Sequence, residues 1–181
     1  FVTAGLGGMS GAQPKAGVIA KGVCIVAEVN PQATYKRHEQ GWVDEAYDDL
    51  DDLLDRAIAA REQKEAISLA YNGNIVDLWE RIVERDINIE IGSDQTSLHN
   101  PWAGGYYPVG MSYEDANKMM VSNPNQFKKE VQKTLIRHAN AINKLVENGM
   151  YFFDYGNAFL LEASRAGADI LNEKGDFKYP S

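Results

Sequence analysis

Phe1-Val2-Thr3-Ala4-Gly5-Leu6-Gly7-Gly8-Met9-Ser10-Gly11-Ala12-Gln13-Pro14 opens the chain. A short apolar run passes directly into a glycine-rich turn. Pro14 then suits the first turn of a helix, where its missing N–H costs nothing. Strand, glycine turn and helix in that order let the backbone approach a pyrophosphate closely and present free N–H groups to the anion. The strict G-x-G-x-x-G spacing fails, because the third glycine position counted from Gly5 is Ser10. A glycine-rich turn without a ligand therefore stays open as the alternative.

Outward from this turn, short apolar runs alternate with amphipathic stretches. Strands are expected over residues 1–4, 23–28, 66–71, 87–91 and 151–154, each rich in β-branched or aromatic residues as buried parallel strands are. A helix is expected over 44–64, with Tyr47, Leu50, Leu54, Ala57 and Ile58 at helical spacing, its acids early and Arg56, Arg61 and Lys64 late. Ile75, Leu78, Trp79, Ile82 and Val83 mark a second helix, which Asn74 is placed to cap. Phe127, Val131, Leu135, Ala139, Ile142 and Val146 mark a long third one, stopped by Asn148-Gly149. Ser112 with Asp115 reads as a capping pair for a helix over 113–121. Strands alternating with helices predict one Rossmann-like α/β domain over 1–181: a doubly wound, mostly parallel sheet with helices on both faces. In such sheets ligands bind at the carboxyl ends of the strands.

Composition narrows the functions open to this chain. Its 181 residues are 44% hydrophobic and 24% charged, as in globular proteins, and no apolar run is long enough for a membrane helix. The net charge of −8, with acids crowded between Asp44 and Asp55, argues against a nucleic-acid partner, which would need a basic face. The single cysteine, Cys24, sits in an apolar run and is expected to be buried and inert. Without a second cysteine no disulfide forms within the chain, which favours a reducing compartment. His99 has no second ligand at metal spacing, so no metal site is expected, and His38 and His138 are expected to be solvated. The ends carry neither a leader nor a closing helix cap, and the chain is expected to be a piece of a longer one.

The strand ends hold the candidate site residues. Glu28 lies about twenty residues past the glycine turn, where an acid accepts hydrogen bonds from an adenosine ribose and repels the 2′-phosphate of NADP. An exposed surface acid is the alternative there. The run from Gly92 to Pro108 is long, polar and aromatic, with many small donors and no basic residue. That content suits a nicotinamide amide and a ribose better than free phosphates. Tyr155, after the last strand, can stack on a ligand or pack at the sheet edge.

Several of these stretches together resemble one family. They are Phe1–Met9, Gly11–Pro14, Ser93-Asp94-Gln95-Thr96-Ser97, Gly105-Tyr106-Tyr107-Pro108 and Phe153-Asp154-Tyr155-Gly156-Asn157, and in this order they resemble urocanase (urocanate hydratase) over essentially the whole chain. The resemblance implies a cytoplasmic homodimeric enzyme of histidine degradation that adds water to urocanate to give imidazolonepropionate. It implies tightly bound NAD acting as an electrophile rather than a redox partner. Cofactor contacts then fall on Gly8, Met9 and Ser10, on Glu28, on Asn74 and Ile75, on Gln95, Thr96, Ser97, Leu98 and His99, on Tyr106 and Tyr107, and on Tyr155. No catalytic residue is expected here, because the family's active-site cysteine and the core that holds urocanate lie outside this segment, and Cys24 does not match that cysteine. Ser10 stands where many members have glycine, and Ala33 where many have an arginine near the adenosine. Three other readings stay open: a stand-alone NAD-binding or interaction module, a domain of a hydratase acting on a modified urocanate, and an ordinary NAD-dependent dehydrogenase domain.

Overall fold

The computed structural model describes residues 1–181. In chain order the regular elements are β1 (Val2–Ala4), α1 (Gln13–Ile19), β2 (Val23–Glu28), α2 (Pro31–Glu39), β3 (Glu45–Tyr47), α3 (Leu50–Glu62), β4 (Ile67–Asn72), α4 (Ile75–Glu84), β5 (Ile91–Asp94), α5 (Tyr113–Ser122), α6 (Pro124–Glu147), β6 (Tyr151–Asp154) and α7 (Phe159–Arg165). The six strands form one sheet in the order β3-β4-β2-β1-β5-β6. Every pairing in it is parallel. The expected α/β class is therefore the observed one. β1 sits between β2 and β5, so the chain leaves it in one direction and later returns on its other side. That is the switch point at which such sheets open a crevice.

Two expected elements are corrected. Residues 45–47, expected at the start of a long helix, form the edge strand β3. Asp44 pins this strand to β4, its carboxylate accepting from the backbone N and the Oγ of Ser68 at 2.9 Å each. The helix starts only after Asp49, whose side chain accepts from Asp52 N at 2.9 Å and caps it. The strand expected over 87–91 instead runs from Ile91 to Asp94. The alternating Ile87, Ile89 and Ile91 imitate a strand, but pairing to β6 fixes the register from Ile91↔Tyr151 to Asp94↔Asp154. Ser93 and Asp94, expected in the polar run after the strand, lie within it. Both are fully buried, and Ser93 Oγ lies 2.8 Å from Thr3 Oγ1.

The two faces of the sheet differ because successive side chains of a strand point to opposite sides. On β2, Ile25 and Ala27 join the main core with Leu53, Leu69, Trp79, Leu135 and Phe152. Cys24 and Val26 join a small cluster of Leu6, Val43 and Ala70 on the other side. The main core lies under α3, α4, α6 and α7, while the thinner side carries buried Thr3 and Ser93, satisfied by each other and by Gln13 of α1. Cys24 is fully buried and burial pushes its thiol up to about 12. No helix is long and apolar enough to cross a membrane. No group of three or more His, Cys, Asp or Glu is placed to hold a metal ion.

Candidate functional site

A cleft of about 230 Å³ opens at the carboxyl ends of β1, β2, β4 and β5. Its walls include Gly5, Gly7 and Ser10 of the glycine turn, Glu28, Asn30 and Ala33, then Asn74 and Ile75, then Gln95, Thr96 and Ser97, and finally Tyr106 and Tyr107. A second cavity, about 780 Å³, opens at the amino ends of the strands, with walls that include Phe1, Val23, Ile25, Ile58, Ile91 and Phe153. The smaller one holds the convergent polar groups that a binding site needs, and it lies at the switch point. It is below the roughly 300–1,000 Å³ of a complete small-molecule pocket.

The first wall is the glycine turn. Gly5, at φ +95°, takes a left-handed backbone that a side chain would strain, and its N–H donates to Ala27 O at 2.9 Å. Leu6 N donates to Glu28 Oε2 at 2.7 Å, and Asn30 N donates to Glu28 Oε1 at 2.9 Å. The N–H groups of Gly7, Gly8 and Met9 meet no acceptor within the chain. The N–H of Ser10 also lacks one; Gly7 and Ser10 border the cleft while Gly8 and Met9 are exposed, and successive unpaired donors of this kind suit an anion. Gly8 and Met9, expected as cofactor contacts, do not border the cleft, and Met9 turns its side chain to solvent, whereas Ser10 is buried beneath the turn. Glu28 borders the cleft as expected and also braces the turn, a task its position in the sequence did not reveal. Burial holds its carboxyl above the usual carboxylate range despite those hydrogen bonds.

The opposite wall is tied down from within. Asp94, at the end of β5, is fully buried. Its Oδ1 accepts from Thr96 N at 2.9 Å, Thr96 Oγ1 at 2.5 Å and Asn157 Nδ2 at 3.0 Å. Asn157 also donates to Thr96 O. One carboxylate and one amide thus shape the segment that carries Gln95, Thr96 and Ser97. Behind it, Tyr106 Oη lies 2.8 Å from His138 Nδ1, and His138 Nε2 lies 4.0 Å from Asp94 Oδ2. The expectation that His138 is solvated is wrong, since it is completely buried. Its spacing of three from Leu135 and four from Ile142 puts it on the apolar stripe of α6, a signal the sequence did carry. Burial lowers the imidazole to about 3 and raises the Asp94 carboxyl, so the pair is not an ion pair at neutral pH.

Asn74 caps α4 through Val76 N at 2.9 Å and donates from Nδ2 to Tyr107 O at 2.9 Å, joining two walls of the cleft. Tyr107 Oη donates to Asn117 Oδ1 at 2.9 Å. Ile75 and Tyr106 line the cleft although nearly all of their surface is covered. Leu98 lies in the main core and does not border the cleft. His99 is exposed, and neither it nor Tyr155 borders the cleft; Tyr155 is 53% exposed at the end of β6. The cleft brings together Ser10 of the expected turn residues, with Gly5 and Gly7, and Glu28, Asn74–Ile75, Gln95–Ser97 and Tyr106–Tyr107. The sequence reading missed Asn30, Asp94, His138 and Asn157 as parts of this arrangement.

Comparison with known proteins adds a family. The model described as the urocanase Rossmann-like domain matches residues 1–181. A probable urocanate hydratase of Dictyostelium discoideum is 57% identical over 185 residues, covering 100% of this chain and 27% of the relative. The urocanate hydratase of Mus musculus is 52% identical over 189 residues, again covering 100% of this chain and 28% of the relative. A probable urocanate hydratase of Halobacterium salinarum is 36% identical over 178 residues, covering 98% of this chain and 30% of the relative. The chain therefore spans less than a third of the length of these curated relatives.

Proposed function

The chain belongs to the urocanase family, and on that premise we propose that its cleft binds NAD as one part of a urocanate hydratase. The observation that carries the cofactor reading is the row of unpaired N–H groups from Gly7 to Ser10, of which Gly7 and Ser10 border a crevice at the switch point of a parallel sheet. These donors suit a diphosphate. Glu28 beside them suits an adenosine ribose and disfavours a 2′-phosphate. Gln95, Thr96 and Ser97 across the cleft are neutral and suit the nicotinamide amide and its ribose. Adenosine then lies toward Glu28 and nicotinamide toward Gln95, Thr96 and Ser97, with Tyr155 beyond.

When bound, NAD supplies an electron-withdrawing ring that makes the imidazole of urocanate open to water. The residues of this chain bind and orient it. Turn amides hold the phosphates, the segment fixed by Asp94 holds the amide end, and Asn74 keeps Tyr107 against that end. The partly enclosed cleft leaves one side of the nicotinamide for the rest of the polypeptide, which we propose supplies the urocanate pocket and the catalytic cysteine. The family membership also supports a place in histidine degradation, in the cytoplasm, within a homodimer.

Calorimetry with NAD and NADP tests the reading. Binding of NAD that is clearly tighter than that of NADP is expected, and equal affinity contradicts the role given to Glu28. The pure 181-residue chain is expected to leave urocanate absorbance unchanged in the presence of NAD. Turnover above background contradicts the assignment of substrate chemistry to the rest of the polypeptide.

A further inference from the structure

Arg37, on α2, lies on the outer side of the glycine turn. Its Nη2 donates to Gly7 O at 2.6 Å and more weakly to Gly8 O at 3.4 Å, and its Nε donates to Leu6 O at 3.2 Å. Its Nη1 donates to Gln40 Oε1 at 3.1 Å, and the guanidinium sits 5.7 Å from the ring centre of Trp42. Three successive carbonyls of the turn are therefore held by one rigid fork. Gly11 makes room for it: a Cβ there would come within 2.2 Å of Arg37 Nε. Inside the turn, Glu28 holds Leu6 N.

A peptide unit points its C=O and N–H in opposite directions. Anchoring the carbonyls of Leu6, Gly7 and Gly8 on the outer side fixes the peptide units that carry the N–H groups of Gly7, Gly8 and Met9. Those donors have no acceptor in the chain. Exposed glycine-rich backbone would otherwise sample many orientations, because glycine loses more conformational freedom on ordering than any other residue.

We propose that Arg37 is a positioning residue for the cofactor's diphosphate: it clamps the outer carbonyls of the glycine turn so that the Gly7, Gly8 and Met9 amides stand ready for the anion, and Gly11 is glycine because that clamp passes over it. The ligand half of this statement rests on the NAD reading above; the clamp itself does not.

Two variants reach the clamp from different sides. Arg37→Met removes the fork, and Gly11→Ala pushes it aside while keeping Arg37. Arg37→Lys keeps the charge but cannot hold three carbonyls. Backbone ¹⁵N relaxation of the ligand-free chain is expected to show lower order at Gly7, Gly8 and Met9 in all three, with the strands unchanged. Turn order equal to wild type in Arg37→Met and Gly11→Ala overturns the clamp, whatever the chain binds. In calorimetry, all three variants are expected to weaken ADP and NAD about tenfold while adenosine binding stays within twofold of wild type. Full rescue of ADP binding by Arg37→Lys would show a simple charge effect and overturn positioning. An equal loss for adenosine would show general damage and do the same. Wild type that binds neither ADP nor NAD, with the turn disordered only in the variants, overturns the NAD reading and leaves the clamp standing.

Discussion

The two walls of the cleft satisfy their backbones in opposite ways. At the glycine turn the carbonyls are taken, by Arg37, while the consecutive N–H groups from Gly7 to Ser10 are left without acceptors. Across the cleft, Thr96 N and O are both taken, by Asp94 and Asn157. The first wall is built to give donors to an anion. The second is built to hold side chains in fixed places around a neutral group. A ligand with a charged middle and a neutral end matches that division, and a dinucleotide is such a ligand.

Removing the anchor of the second wall gives the largest expected effect. Asp94→Ala leaves the donors of Thr96 and Asn157 unpaired in a buried place and opens a void, which costs about 3 kcal/mol of folding stability. Urea denaturation measures it, and a loss under about 1 kcal/mol would mean that the segment holds its shape without the carboxylate. Asp94→Asn keeps an acceptor for Thr96 and relieves the burial of a carboxylate, so it is expected to cost less than Asp94→Ala. If the two cost the same, the hydrogen bonds to Oδ1 do not shape this wall.

The dependence on pH sharpens the contrast. Burial depresses His138 to about 3, below the 6.5 of a free imidazole. The unfolded chain therefore takes up a proton that the folded chain refuses, so this group's stability is present above about 6.5 and is lost as pH falls toward 3. Asp94 and Glu28 have raised values and act in the opposite sense: what they contribute is present in acid and lost as pH rises through their folded values. His138→Gln is expected to remove a slope of at most about 1.4 kcal/mol per pH unit in that range. Denaturant midpoints between pH 6.5 and 4 give the difference. Parallel wild-type and variant curves would mean that His138 is not buried as a neutral group.

The glycine wall has a smaller expected effect. Glu28→Ala should weaken NAD binding by about 1 kcal/mol or somewhat more, the scale of a hydrogen bond to a charged group. It should also narrow the preference over NADP. An unchanged NAD to NADP ratio, by calorimetry, would confine Glu28 to bracing Leu6 N and Asn30 N.

How far the sequence could be read divides along the same line. The glycine turn, Glu28 and the Asn74 cap were readable because their signals are local: a strand end, a turn residue, a spacing of a few positions. Asp94 and Asn157 stood inside motifs of the family resemblance, but their task depends on a contact 63 positions apart along the chain. Arg37 was visible only as a basic residue, since its fork reaches carbonyls about 30 residues away. His138 is a different case. Its helical spacing marked it as buried, and its polarity obscured that signal. Edge strand β3 was hidden because its three residues precede a strong helical pattern and rely on Asp44 pairing with Ser68.

The proposed dinucleotide sits in the cleft with its diphosphate on the Gly7, Gly8 and Met9 amides. Titrating the ¹⁵N-labelled chain with NAD and following backbone amide shifts tests it most directly. The expected result is large shifts at Gly7, Gly8 and Met9, repeated with ADP, and smaller ones at Gln95, Thr96 and Ser97 that appear with NAD but not with ADP. Shifts gathered instead around Ile58, Ile91 and Phe153, at the cavity on the amino side of the sheet, would contradict the account. So would a glycine turn that NAD leaves unmoved.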